Sequence, residues 1–252
     1  MLTTDPILKK YRFCNVHRED DRVTRWVAKN YRPYDDINVW HALIVARFLN
    51  WPPTLEYCGY PEPWSVDGDE FSSKLRLMEK NGARIFTGAY IVSTNGATGS
   101  KVEHVLNLFN RAWDQLHGKI QDQQTCQGGY EALRSVNGIG SFMAAQVIAD
   151  LKYTRHLDDC YDWMDFVAPG PGSQRGLNRL YTRPLDSQWN LKEFSAAVYN
   201  LRSKAAKLYR PIAQFHAQDL QNCLCEFDKY ERVLHNQGKP RSQYHPSTED
   251  MP

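Results

Sequence analysis

No stretch of this sequence stays apolar for long enough to cross a bilayer. The N-terminal MLTTDPILKKYRF also lacks the apolar centre of a secretion signal. Both absences point to a cytoplasmic protein with no membrane partner. Charge of one sign is also scarce: 31 Lys and Arg against 29 Asp and Glu leave a net charge of +2. Nucleic-acid binding would therefore have to arise from local clustering of charge. The six cysteines (Cys14, Cys58, Cys126, Cys160, Cys223 and Cys225) form no CxxC pair. That spacing matches neither a zinc finger nor an iron–sulfur cluster, so the reading is reduced thiols and no metal. A Walker A loop is missing as well, because neither STNGATGSK nor APGPGSQRGLNRL contains GK followed by Ser or Thr.

What the chain does have is helical periodicity. In DRVTRWVAKN, Val23, Trp26 and Val27 share a face. In INVWHALIVARFLNW, Ile37, Trp40, Ile44 and Phe48 do the same, and Pro52-Pro53 is read as the stop. KVEHVLNLFNRAWDQLHG aligns Val102, Val105, Phe109, Trp113 and Leu116 and is the cleanest amphipathic helix. FSSKLRLMEKNG, YEALRSV, LKEFSAAVYNLRSKAAKLY and DLQNCLCEFDKYERVL also have helical spacing, whereas ARIFTGAYIVS fits a short strand or a buried loop equally well. The expected fold is all-α, with a long Gly/Pro/Asp loop over DDCYDWMDFVAPGPGSQRGLNRLYTRP. Residues 1–235 would form one domain, with two packed helical lobes as a variant. The tail, 236–252, is polar and read as disordered.

The most informative run is SVNGIGSFMAAQVIADL. Gly138 and Gly140 supply backbone freedom directly before a helix start. The amide N–H groups of Gly140, Ser141 and Phe142 would then lie at a positive helix terminus suited to a phosphate oxygen. Residues 131–151 resemble the helix-hairpin-helix DNA-binding motif. That resemblance implies a sequence-independent grip on a DNA strand, with a monovalent cation nearby as the one cofactor it would allow. In the helix-hairpin-helix DNA glycosylases, whose fold the chain is expected to share, a catalytic Asp follows in a window that here reads HLDDCYDWMDF, with Asp158, Asp159, Asp162 and Asp165. Cleaving an N-glycosidic bond builds positive charge on the sugar. Asp159 or Asp162 would stabilise that charge and orient the attacking water. Phe142 stands where lyase-type relatives carry a Schiff-base lysine, so water would be the nucleophile.

Two further clusters are polar. Gly170, Gly172 and Gly176, with Ser173, Arg175 and Arg179, could form an anion-binding nest with guanidinium support. Near the N-terminus stand Arg12, Asn15, Arg18, Arg22 and Arg25, and near the other end Glu226, Asp228, Lys229 and Arg232. By spacing alone both groups read as solvated, salt-bridged helix faces.

Taken in order, TDPILKKYRFCNVHREDDRVTRW, ARFLNWPPTL, GARIFTGAYIVS, VNGIGSFMAAQVIADL, DWMDFVAPGPGSQRGLNRL and CEFDKYERV resemble the α-glutamyl/putrescinyl thymine pyrophosphorylase superfamily. That superfamily includes amino acid:DNA transferases of phages, the helical domain of hydroxymethyluracil DNA kinases, and antiviral glycosylases that excise modified bases. The resemblance implies that Arg12, Asn15, Arg18, Arg22, Asp228 and Lys229 face a base substituent. Its partner would be double-stranded DNA carrying modified bases, and the chain is expected to act as a monomer. Kinase members carry a P-loop domain, which these residues do not contain. The leading expectation is therefore a monofunctional glycosylase that flips a glucosylated or otherwise substituted hydroxymethyl pyrimidine out of phage DNA and hydrolyses its glycosidic bond. The alternatives are a transferase that displaces pyrophosphate from a pyrophosphorylated hydroxymethyluracil, and a non-catalytic DNA-binding module.

Overall fold

The computed structural model describes residues 3–33, 36–61, 70–88, 90, 92, 98–240 and 243–244. Helices run through it in the order α1 (Pro6–Lys10), α2 (Arg22–Asn30), α3 (Val39–Leu49), α4 (Pro52–Cys58), α5 (Glu70–Lys80), α6 (Lys101–Leu116), α7 (Cys126–Ser135), α8 (Ser141–Leu151), α9 (Pro171–Leu180), α10 (Leu191–Leu208) and α11 (Ala217–Leu234). Short 3-10 turns cover Arg18–Asp20 and Arg210–Gln214. No strand occurs among the described residues, and one isolated bridge pairs Tyr11 with Gln243. The fold is all-α, as the periodicity predicts. None of the described helices is long and apolar enough to cross a membrane. The chain divides into two compact units: Arg22–Phe166, and Met1–Asp21 together with Val167–Pro252.

In the unit from Arg22 to Phe166, α3 is buried along its whole length, and α8 is buried from Met143 onward. The two pack together, with α6 on α3 and α7 on α8. Trp40 of α3 stacks on Trp113 of α6 with ring centroids 5.6 Å apart. Burial at this depth forces polar side chains to find partners. His41 Nε2 donates to the Phe109 carbonyl at 3.1 Å, and burial pushes its pKa down to about 4. Arg47 and Asp150 are both 0 % exposed, and Arg47 Nη2 reaches Asp150 Oδ1 at 2.9 Å. Arg32 adds Nε and Nη2 bonds to the same carboxylate at 3.0 and 2.7 Å, and Arg47 also reaches Asn50 and Thr24. This network joins α2, α3 and α8.

Asn50 closes α3 in the left-handed region at φ 45°. Pro52 and Pro53 then open α4 rather than only ending α3. In a first helical turn their missing N–H groups cost nothing. The described residues of the 83–93 run form no strand. Thr54 Oγ1 donates to the Ile85 carbonyl, and Thr87 N–H to the Leu49 carbonyl. Positions 89, 91 and 93, residues 93–97 of STNGATGSK, and 241–242 and 245–252 of the tail lie outside the described residues.

In the other unit, α9 lies against α11 and α10 closes the core with Val167, Leu177, Phe194, Val198, Phe215 and Leu220. The segment predicted as a long loop is thus helical from Pro171 to Leu180. Pro171 fills the first turn, Ser173 Oγ accepts the Gly170 N–H at 3.1 Å, and the same hydroxyl donates to the Gly170 carbonyl at 3.0 Å. Its glycines serve proximity. A Cβ on Gly176 would overlap the Leu224 carbonyl oxygen, and one on Gly172 would overlap Cys225 Sγ.

Candidate functional site

The corner between α7 and α8 is built by its two glycines in different ways. Gly138 has φ +102°, and a Cβ there would lie 2.6 Å from Leu108 Cδ1, so both backbone and packing require glycine. Gly140 has φ −74°, and a Cβ there would meet nothing within 4 Å. Nothing inside the protein demands glycine at that position. Gly140 is the N-cap of α8 and no side chain caps it, so the first-turn amides of Ser141 and Phe142 lie at an open helix terminus. Arg134 holds the turn by donating to the Ile139 carbonyl at 3.1 Å. A cavity of about 410 Å³ opens here, lined by Phe48, Arg134, Asn137, Gly138, Gly140 and Phe142 among others. Phe142 is 37 % exposed and makes an edge contact with Tyr90, centroids 4.9 Å apart.

The acid-rich segment after α8 is a succession of turns. Asp158, Asp159 and Asp165 are exposed, whereas Asp162 is half-buried. The Asp162 carboxylate accepts the Cys126 N–H at 2.8 Å and the Gln127 N–H at 2.9 Å, neutralising the start of α7. Asp159 and Asp162, alike in sequence, therefore stand in different surroundings: one is open to solvent and the other anchors a helix.

In the second unit, Arg175 and Arg179 project from α9 toward Asp228 of α11, a carboxylate 2 % exposed. Arg179 Nε donates at 2.8 Å, Arg175 Nε lies 3.2 Å away, and Arg232 completes the ring at 3.2 Å. Three guanidinium groups share one carboxylate, and two of them, Arg175 and Arg232, keep over a third of their side chains exposed. Ser173 is buried and used by its own helix cap, so α9 presents arginines rather than a glycine nest.

Arg12, Asn15 and Arg22 are exposed, whereas Arg18 is buried, its backbone N–H donating to Asp219 Oδ1 at 2.9 Å. Asn15 lines a cavity of about 320 Å³ with Phe13, Cys14, Glu226 and Tyr230. Lys229 pairs with Glu226 beside it, and its ammonium lies 5.4 Å from the Phe13 ring centroid. The Cys14 thiol is held up at about 11, by burial first and the Glu226 charge second.

One cluster is invisible in the spacing. Cys126 and Cys160 stand 34 positions apart, yet their sulfurs lie 3.1 Å apart. With Asp162 they bring three potential ligand atoms within 4.8 Å of one another.

Residues 1–240 match the family described as 5-hmdU DNA kinase, helical domain. The chain is also 25% identical over 261 aligned residues to a 5-hmdU DNA kinase of Bacillus phage SP10. That alignment covers 90% of this chain and 40% of the relative, so the chain spans well under half of the relative's length. No solved structure matches. These matches correct the functional expectation. Both point to a kinase, so the glycosylase reading falls, and with it the hydrolase and antiviral-excision roles; the pyrophosphate-displacing transferase finds no support either. The matched family describes the helical domain of such a kinase. With 240 of its 252 residues matched, the chain belongs to the family of 5-hmdU DNA kinase helical domains.

Proposed function

We propose that this chain serves as the helical part of a 5-hmdU DNA kinase, holding DNA that carries 5-hydroxymethyldeoxyuridine while its hydroxymethyl group receives a phosphoryl group. The observation that carries this reading is the family match over residues 1–240. These 252 residues contain no GxxxxGK[ST] loop, so the nucleotide phosphates and their metal would be held by a P-loop outside them. Phosphoryl transfer needs little covalent help from protein. It needs the acceptor oxygen in line with the γ-phosphorus and a group to take the hydroxyl proton.

The α7–α8 corner suits the holding role. Its uncapped amides and an outward-facing Gly140 let a DNA phosphate come close to the backbone, a contact that positions DNA without reading its sequence. A monovalent cation at the turn carbonyls would be compatible with that grip. Of Asp159 and Asp162, Asp159 is exposed, as Asp158 and Asp165 are, and open to take a proton, whereas Asp162 is occupied at the start of α7. Arg175 and Arg232 offer exposed guanidinium faces to further phosphates, while Arg179 is held on Asp228.

The test is a chimera in which this chain replaces the matched region of the phage SP10 kinase. Labelled phosphate transferred to hydroxymethyluracil DNA, and not to thymine DNA, is the expected result. Gly140→Ala should leave stability within about 0.5 kcal/mol, because its site is open, and weaken DNA binding about tenfold. Gly138→Ala should lower stability by roughly 1–3 kcal/mol through backbone strain and the overlap with Leu108. A chimera that folds but transfers no phosphate, together with a chain that does not bind hydroxymethyluracil DNA, would overturn the proposal.

A further inference from the structure

From the convergence of Cys126, Cys160 and Asp162 we infer that the unit from Arg22 to Phe166 carries a zinc site, with two thiolates and one carboxylate as protein ligands and a water as the fourth. The three ligand atoms lie within 4.8 Å of one another. An ion about 2.3 Å from each sulfur and about 2.0–2.2 Å from the carboxylate oxygen would bridge that triangle once the sulfurs part from 3.1 Å to the roughly 3.8 Å of a tetrahedral pair. Two thiolates exclude Mg²⁺ and Ca²⁺, which take oxygen ligands, and a mixed sulfur and oxygen set favours Zn²⁺ among the common divalent ions.

The surroundings answer the charge of such a centre. Two thiolates, a carboxylate and Zn²⁺ sum to one negative charge, which lies at the positive terminus of α7. Lys152 stands near enough to act electrostatically on Cys126. Its ammonium lies 4.5 Å from the Trp163 ring centroid, one residue beyond Asp162. The ligands are also pre-oriented. Cys126 is the first residue of α7, and the Asp162 carboxylate accepts its N–H, so backbone hydrogen bonds fix the carboxylate before any ion arrives. Both thiols are buried, and their sulfurs face one another at 3.1 Å beside the Asp162 carboxylate. Coordination converts both thiols to thiolates and releases their two protons to solvent, with no change of oxidation state. Cys160 and Asp162 belong to the same turn segment as Asp158, Asp159 and Asp165, so an ion here would clamp that acidic segment to the start of α7.

The test uses the full chain, stripped with chelator under reducing conditions and titrated with Co²⁺. The expected result is a thiolate-to-cobalt charge-transfer band that saturates at one equivalent with an intensity for two thiolates, that Zn²⁺ displaces, and that weakens as pH falls. Cys126→Ser and Cys160→Ser should each reduce Zn²⁺ affinity by more than the roughly 10–100-fold cost of losing an outer-shell partner. Cys223→Ser, in the other unit, should change nothing. If the serine variants lose their helical circular dichroism, the wild-type band and its stoichiometry decide alone. No band, a band surviving in the folded double serine variant, or a reduced mass showing a Cys126–Cys160 disulfide in place of metal uptake would overturn the proposal.

Discussion

Each unit of this molecule buries one aspartate among arginines, and the two arrangements differ in where the arginines end. Around Asp150 the partners are as dry as the carboxylate: Arg47 is 0 % exposed, and Arg32 keeps only 8 % of its side chain in solvent. Around Asp228, Arg179 is 9 % exposed, but Arg175 and Arg232 keep 37 % and 36 %. The first is a closed network that ties α2, α3 and α8 together. The second is a half-open one, with guanidinium edges left over after the carboxylate is satisfied. A buried ion pair is weak evidence for net stability, yet removing one partner from a closed network strands the other charge in a dry interior.

The largest effect should therefore follow Asp150→Ala, which leaves Arg47 and Arg32 uncompensated. A loss of about 3–5 kcal/mol is expected in chemical denaturation, enough to unfold a marginal domain. A smaller loss would show that water reaches this network and would erase the contrast.

Acid probes the same dry interior. Burial holds His41 at about 4 against an ordinary 6.5, so across that window the native state binds fewer protons than the unfolded chain. Its contribution is intact above pH 6.5 and lost as pH falls toward 4, about 3 kcal/mol in all. His41→Leu should flatten that part of the stability profile, and an unchanged slope would place the acid sensitivity elsewhere.

Of the two aspartates buried among arginines, Asp228→Ala should have the smaller effect. Arg175 and Arg232 can turn to water, leaving Arg179 to bear the loss, so about 1–2 kcal/mol is expected. The same change removes one negative charge from the arginine ring. DNA binding should tighten, and its log–log salt slope should steepen by about 1. Equal losses at Asp150 and Asp228, with no change in DNA binding, would mean that the second ring is as closed as the first.

The helices were readable where periodicity and caps agreed. α6 follows its apolar stripe and opens on Ser100, whose side chain accepts the Glu103 N–H. α3 was readable as a helix but not as a buried one, because three-dimensional packing, not spacing, decides that all its faces are covered. α9 is hidden in the sequence: PGPGSQRG is a breaker by any local rule, yet Pro171 fits a first turn, and Gly172 and Gly176 exist for contact with a helix some fifty positions away in the chain. The Gly138–Gly140 corner was legible because its signal is local. Which acid stays open was not, since the distinction between Asp159 and Asp162 is set by the N–H groups of Cys126 and Gln127. The functional class failed for a different reason. The acid window and the glycine corner fit more than one chemistry on a modified base, and only the family match separated them.

The meeting of Gly176 with the Leu224 carbonyl leaves α9 and α11 no lubricating layer of side chains. Two rods in backbone contact cannot slip past one another by a fraction of a turn, so the pair behaves as a ruler. Inserting or deleting a single residue between Gly172 and Arg179 would rotate the α9 arginines out of line with Asp228 and leave it with Arg232 of its own helix alone. Length, more than composition, is what this segment must keep.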